Sequence, residues 1–189
     1  VESAEFVQNT GAQRLDETSY RIKQNIDVRS LYGYSAGLWW VQDYAASLPV
    51  KMFSNLKGKK VLDLCAAPGG KTAQLLSLGA KVTAADISAS RLERLKENMK
   101  RLNFSDVEIV CNDALNFLQN YDGESFDAIL VDAPCSATGT LRRHPEIPHI
   151  KSITDILKMS EIQKQFLQQA TNVLKPQGEL VYCVCSIFK

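Results

Sequence analysis

The residues of this chain best suited to chemistry are acids and thiols that stand where short apolar runs end. The run from Val61 leads into Asp63-Leu64-Cys65-Ala66-Ala67-Pro68-Gly69-Gly70-Lys71-Thr72, Asp86 follows 81–85, and Asp113 follows 107–110. Asp132-Ala133-Pro134-Cys135 follows 126–131, and Cys185-Ser186 closes the run from Glu179 to Val184. A carboxylate can hold a ligand hydroxyl or a ring nitrogen, and a thiol that ionises is a nucleophile. Taken singly, each acid would be a helix cap and each cysteine a small buried hydrophobe. Acids at the ends of four successive runs point instead to a ligand, and Cys135 and Cys185 beside them point to reacting thiols. Cys111 and Cys183 keep the reading of buried hydrophobes.

The Pro-Gly-Gly turn lets backbone approach a ligand closely, and Asp86 lies about 20 residues beyond Asp63, where a nucleoside-binding βαβ unit places its ribose acid. The sequence lacks G-x-G-x-x-G, so a dinucleotide pyrophosphate is poorly served. A ligand with an adenosine and an amino-acid tail suits the turn better. The competing reading is a phosphate-binding loop, since Gly70-Lys71-Thr72 and Ile129-Leu130-Val131-Asp132 mimic its two motifs. Cys65 stands where that loop needs glycine.

The elements that must position these residues alternate. From Lys60 a short β-rich run, a turn and an amphipathic helix repeat, which is the signature of a parallel α/β sheet. Strands are expected at 61–64, 81–85, 107–110, 126–131 and 179–184. Helices are expected at 71–78, stopped by Gly79; from Ser88, with Leu92, Leu95, Met99 and Leu102 inward and Arg91, Arg94 and Lys100 or Arg101 towards water; and at 113–119. A long irregular loop from Ala133 to about Ile150 precedes a long helix with Ile156, Ile162, Phe166, Ala170 and Val173 on one face, ended by Lys175-Pro176-Gln177-Gly178. Residues 1–59 differ in kind, with Tyr20, Tyr32, Tyr34, Trp39 and Trp40 interleaved with Arg21, Lys23 and Arg29. They read as a small β-rich lead-in, then a helix near 43–56 that docks on the sheet. The aromatics are expected to pack on the sheet, with stacking on RNA as the alternative.

Composition excludes several classes. With 189 residues, 45% hydrophobic and 23% charged, the chain is an ordinary globular domain rather than a disordered or collagen-like one. Its 22 basic against 21 acidic residues make any affinity for nucleic acid local. No apolar run approaches the roughly 20 residues of a membrane span. The five cysteines form no C-x-x-C pair, and His144 and His149 lie far from them, so no metal site and a reducing cytoplasm are expected. The chain begins at Val1 and stops at Lys189 just after an apolar run, which reads as part of a longer protein.

The motifs Asp-Leu-Cys-Ala-Ala-Pro-Gly-Gly-Lys-Thr at 63–72, Asp-Ala-Pro-Cys-Ser at 132–136, Gly-Thr-Leu-Arg-Arg-His-Pro-Glu at 139–146 and Tyr-Cys-Val-Cys-Ser at 182–186 strongly resemble the Sun/Fmu family of RNA cytosine-C5 methyltransferases. The resemblance runs from about Gly37, through Trp40-Val41-Gln42-Asp43, to Lys189. It implies a Rossmann-like class I S-adenosylmethionine-dependent methyltransferase sheet, with a lead-in at 1–59 and a core at 60–189. The family's sheet has seven strands and an upstream RNA-binding domain, so a core truncated after strand five is expected. The resemblance implies that Cys65, Ala66, Ala67, Pro68, Gly69, Gly70 and Lys71 form the cofactor loop, with Asp86 as ribose acid and Asp113 as adenine contact. Asp132 would lie between cofactor and cytosine, Cys185 would be the nucleophile, and Cys135 would help release the product. Val184 replaces a threonine usual in the last motif.

Carbon 5 of cytosine is too weak a nucleophile to attack a methyl sulfonium directly, so a thiolate must first add to carbon 6. The base must also leave its stack, which is cheapest in a single-stranded loop. Arg142, Arg143 and Lys151 could grip phosphates there, or simply be a solvated basic loop. The expected partner is small-subunit ribosomal RNA, met by a monomer without metal. A non-enzymatic alternative is a fragment that only binds cofactor or RNA.

Overall fold

The computed structural model describes residues 3–22 and 26–187. It opens with a helix, α1 (Ser3–Thr10), which carries no readable apolar period because Phe6 is its one fully buried apolar side chain. A two-stranded antiparallel sheet follows, β1 (Gln13–Arg14) with β2 (Tyr20–Arg21), as expected of the lead-in. The aromatics pack on one another: Phe6 meets Tyr20 and Trp39 edge-on at 5.2 and 5.6 Å, and Trp39 meets Tyr34 at 5.4 Å. Trp40 leans on the main core, and the Tyr32 hydroxyl donates to Glu5. Lys23, interleaved with them in sequence, lies outside the described residues.

The helix expected near 43–56 is two short pieces. Asp43 caps α2 (Tyr44–Ser47) by accepting from the Ala45 amide, and a 3-10 turn, Pro49–Met52, follows. Pro49 has no amide to donate and cannot continue the α-helix.

From Lys60 the chain alternates as its pattern requires: β3 (Lys60–Leu64), α3 (Gly70–Ser77), β4 (Lys81–Asp86), α4 (Ala89–Arg101), β5 (Val107–Cys111), α5 (Ala114–Gln119) and β6 (Phe126–Asp132). The loop after β6 holds a 3-10 turn at Thr138–Thr140 and a short helix, α6 (Ile147–Ile150), before α7 (Ile153–Asn172) and β7 (Leu174–Cys183). Lys175–Gly178 do not end α7, which stops at Asn172. Leu174 already pairs with Phe126, a register shift follows, and Glu179 resumes the ladder opposite Ala128.

The five strands pair in parallel in the order β5-β4-β3-β6-β7. Successive strand residues face opposite sides, so Val61, Val82, Ala128 and Leu130 pack with α3 and α4, while Leu62, Leu64, Ile129 and Val131 pack with α5 and α7. Burying each large side chain contributes about 1.5–3 kcal/mol. On α4, Ser88 caps the helix and Leu92, Leu95, Met99 and Leu102 are buried. Lys100 faces water, but Arg101 turns back and donates from Nη1 to the carbonyls of Tyr34 and Trp39 at 2.8 and 3.0 Å. On α7, Phe166, Ala170 and the cap Val173 are buried, with Ile156 and Ile162 half-buried. Because β4 and β5 lie on one side of β3, and β6 and β7 on the other, the connections diverge and open a crevice at the carboxyl ends of β3 and β6.

Candidate active site

The loop after β3 enters this crevice with Cys65 at φ +61°, a left-handed conformation that costs a non-glycine residue about 1–2 kcal/mol. Gly69, at φ +100°, starts α3, and a Cβ there would meet Leu95 at 2.9 Å. The turn sets Lys71 in the first turn of α3, where its Nζ donates to Asp132 Oδ2 at 2.7 Å. A cleft of about 360 Å³ lies beside the pair, bounded by residues 66–71, Trp40 and Gln42 of the lead-in, Arg101, Asp132 and Arg143. Trp40 Nε1 donates to Gln42, whose amide donates to Gln74, so a polar chain seats the lead-in on α3. Of the three basic loop residues, Arg143 alone borders this cleft, while Arg142 and Lys151 are exposed outside it.

The acids divide by role. Asp63 is completely buried: Thr72 donates to its Oδ2 at 2.6 Å, and its Oδ1 has no partner. Burial pushes its carboxyl up to about 7, against the pull of the Thr72 bond. Asp86 accepts the amides of Ala67 and Ser88 at 3.1 and 3.0 Å and meets Arg91 at 3.4 Å, so it fastens the glycine loop to the end of β4. Asp113 caps α5, its Oδ1 accepting the amides of Leu115 and Asn116 at 3.0 Å. Asp86 and Asp113 do not border the cleft that Asp132 enters.

The thiols divide as well. Cys135 and Cys185 Sγ lie 3.2 Å apart as free thiols. The hydrogen bond from Cys185 and the amide of Ala137, at 3.4 Å, outweigh burial and hold Cys135 down at about 6. Donating that bond raises Cys185, and burial adds to the rise. The expectation that Cys111 and Cys183 are buried hydrophobes is corrected: Cys111 is exposed on the edge strand β5. Cys183 is half-buried and donates to Asp132 Oδ1 at 3.4 Å, with its thiol pushed up to about 12 by burial and by that carboxylate. Val184 packs on the core between the sheet and α7, so an apolar side chain suits its place.

Cys65 sits among three carboxylates, and its thiol is pushed up to about 12 by burial and then by Asp86, Asp132 and Asp63, with Arg91 opposing. Asp86 and Asp132 already engage the nearby cations Arg91 and Lys71, an arrangement that suits a phosphate poorly. Lys71, which a phosphate loop would turn to its ligand, is paired with Asp132 instead. Among the described residues no group of three or more His, Cys, Asp or Glu is arranged to hold a metal ion, and no helix is long and apolar enough to cross a membrane. Sequence reasoning passed over the Lys71–Asp132 pair and the buried hydroxyls of Ser136 and Thr138, which meet Ser186; only the adjacency of β6 and β7 brings the last group together.

The parallel sheet, its strand order and the acids at its carboxyl ends define a Rossmann-like methyltransferase domain. Residues 51–189 match the family described as 16S rRNA methyltransferase RsmB/F, and the chain belongs to that family. The ribosomal RNA small subunit methyltransferase B of Vibrio cholerae is 41% identical over 189 residues, which are 99% of this chain and 43% of that one. The structure of NSun6 from Pyrococcus horikoshii with SFG matches with a TM-score of 0.76 at 31% identity, over 86% of this chain and 42% of that one. A methyltransferase homolog protein from Pyrococcus horikoshii matches with a TM-score of 0.83 at 27% identity, over 98% and 60%. The chain therefore spans less than half the length of the curated relatives it matches. Family membership sets the phosphate-loop alternative aside.

Proposed function

We propose that this chain is the catalytic part of an S-adenosylmethionine-dependent methyltransferase that modifies carbon 5 of a cytosine in small-subunit ribosomal RNA. The observation that carries the reading is the thiol pair, Cys135 and Cys185, 3.2 Å apart at the ends of the same two strands that bear Asp132 and Cys183. Family membership supports the RNA substrate, and the relative solved with SFG, an S-adenosylmethionine analogue, supports the cofactor. The acids around Cys65 suit the sulfonium and ammonium of that cofactor.

Residues 66–71 and Asp132, which line the cleft, would hold S-adenosylmethionine, with Cys65, Asp86 and Asp113 at the neighbouring strand ends completing its site; the cofactor supplies an electrophilic methyl group when bound. Cys185 adds to carbon 6 of the flipped base, and its proton passes along the existing bond to Cys135. Addition places negative charge on ring nitrogen 3 and carbon 5; Asp132 accepts from the exocyclic amine and keeps the Lys71 ammonium beside the ring, and that cation offsets the charge. Once carbon 5 carries the methyl group, its proton passes to solvent, the ring double bond re-forms and the Cys185 sulfur leaves, taking back the proton that Cys135 received. Arg142, Arg143 and Lys151 grip the RNA phosphates. Residues 1–59 serve as a lead-in docked on a core at 60–189, and the protein works as a monomer without metal in a reducing cytoplasm, where its thiols stay free.

Calorimetric titration of the chain with S-adenosylmethionine, and separately with ATP and magnesium, tests the cofactor. A transfer assay on small-subunit ribosomal RNA with a labelled methyl group tests the reaction. Binding of S-adenosylmethionine alone, with label at carbon 5 of cytosine, is the expected result. Binding without transfer would favour a fragment that only holds its ligands, and binding of ATP alone would overturn the reading.

A further inference from the structure

We propose that the hydroxyls of Ser136, Thr138 and Ser186 form a positioning group that holds the Cys135 and Cys185 sulfurs in hydrogen-bond contact. The two cysteines follow different strands, and the ladder between β6 and β7 ends where the Ala133 amide meets the Cys183 carbonyl at 3.1 Å. Beyond that point something other than the sheet must keep the two segments together. Ser136 and Ser186 each follow their cysteine directly, and their Oγ atoms lie 2.9 Å apart. Thr138 Oγ1 completes a triangle, 3.2 Å from Ser186 and 3.4 Å from Ser136. The same oxygen accepts the Ile187 amide at 3.1 Å, and the Gly139 amide donates to the Cys185 carbonyl at 2.9 Å.

Ser136 and Thr138 are buried, so their hydroxyls need partners from within the protein. Each hydroxyl has one proton to give and two lone pairs, and three in a triangle can satisfy one another. An alanine or a valine would fill the same space without tying the segments. Between the serine and the threonine, Ala137 takes the left-handed conformation at φ +58°, and this turn aims its amide at Cys135 Sγ. The triangle thus fixes the groups that reach the Cys135 sulfur, the Ala137 amide through the turn and, through Ser186, the thiol and backbone amide of Cys185. The low proton affinity of Cys135 follows from that arrangement. The catalytic consequence rests on the proposed function, but the positioning does not.

The test is the rate at which iodoacetamide alkylates Cys135 as a function of pH, mapped by peptide mass in the 189-residue chain, with circular dichroism to follow folding. In Thr138→Val and Ser136→Ala the midpoint for Cys135 should move up towards the ordinary thiol value of about 8.5, with the rate at pH 7 falling about tenfold. Thr138→Ser should keep the wild-type profile, and alkylation of Cys111, exposed on β5 away from the triangle, should be unchanged in all three. A folded Thr138→Val protein with an unmoved midpoint would overturn the proposal, as would a shifted midpoint in Thr138→Ser. If Thr138→Val fails to fold, Ser136→Ala decides in the same way. Alkylation needs neither cofactor nor RNA, so a shifted midpoint in a chain that transfers no methyl group would fail the proposed function alone.

Discussion

Lys71 Nζ lies 2.7 Å from Asp132 Oδ2, so an ion pair spans the crevice from the first turn of α3 to the end of β6. Burial weakens the hold of Lys71 on its proton, but the Asp132 charge and hydrogen bond more than restore it, and its pKa is raised. Cys183 donates to the other Asp132 oxygen at 3.4 Å. Both oxygens are therefore aimed by protein groups before any substrate arrives, which is the preorganisation that stabilises a developing charge.

Lys71→Met removes the counter-charge and frees the carboxylate to turn. Methyl transfer should fall about 100-fold or more in kcat/KM, as it should for Asp132→Asn. The double variant should be little worse than the worse single one, because the two side chains act as one unit. Initial rates with labelled cofactor measure this, and losses that simply multiply would show that the residues work separately.

Asp63 gives the protein a pH-dependent weakness. Its carboxyl titrates near 7 when folded, against about 3.9 in an unfolded chain, so the unfolded state ionises first. Stability from this group is complete below about pH 4 and is lost as pH rises towards 7, on the order of a few kcal/mol. Asp63→Asn keeps an acceptor for Thr72 and removes the titration. Its melting temperature should exceed that of the wild type at pH 8, with the difference shrinking towards pH 4.5. A difference independent of pH in thermal scans would contradict this.

Why some of this was legible in the sequence is visible at particular residues. Phe126 to Val131 reads as a buried strand because a central parallel strand is covered on both faces and needs continuous apolar residues. Ser88 and Asp113 announce their helices because an N-cap acts within its own turn. The helix at Ser3–Thr10 was hidden, since it is held by Phe6 against two distant aromatics rather than by an apolar stripe. The acids and thiols at the strand ends stood out by spacing alone. Their partners did not, because Lys71 with Asp132, and Ser136 with Ser186, meet only through the order of strands in the sheet. The helical period puts Lys100 or Arg101 towards water, and Lys100 takes that place; the acceptors of Arg101, two carbonyls of the lead-in, are visible only in the folded chain.

That guanidinium makes the lead-in dependent on α4. Arg101 sits 4.1 Å from the centre of the Tyr34 ring as well as bonding two carbonyls, so Arg101→Met should cost about 2–4 kcal/mol. Gly37 abuts the same turn at φ +71°, and a Cβ there would fall 1.9 Å from the Arg101 carbonyl oxygen. Gly37→Ala should therefore be the more damaging, because backbone must move. Denaturant unfolding gives the loss, and limited proteolysis should cut within residues 31–40 in both variants. Unchanged cleavage there would mean that the aromatic cluster alone secures the lead-in.

The thiol pair decides the order of the chemistry. The bond between the two sulfurs lowers the proton affinity of Cys135 and raises that of Cys185. If Cys185 is the nucleophile, Cys185→Ala should form no covalent product with RNA. Cys135→Ala removes both the proton acceptor and the group that assists departure, so its adduct should form slowly and then persist. Denaturing gels of protein with labelled RNA and S-adenosylmethionine distinguish these fates. An adduct that persists in Cys185→Ala and is absent from Cys135→Ala would reverse the roles and make Cys135 the sulfur that attacks carbon 6.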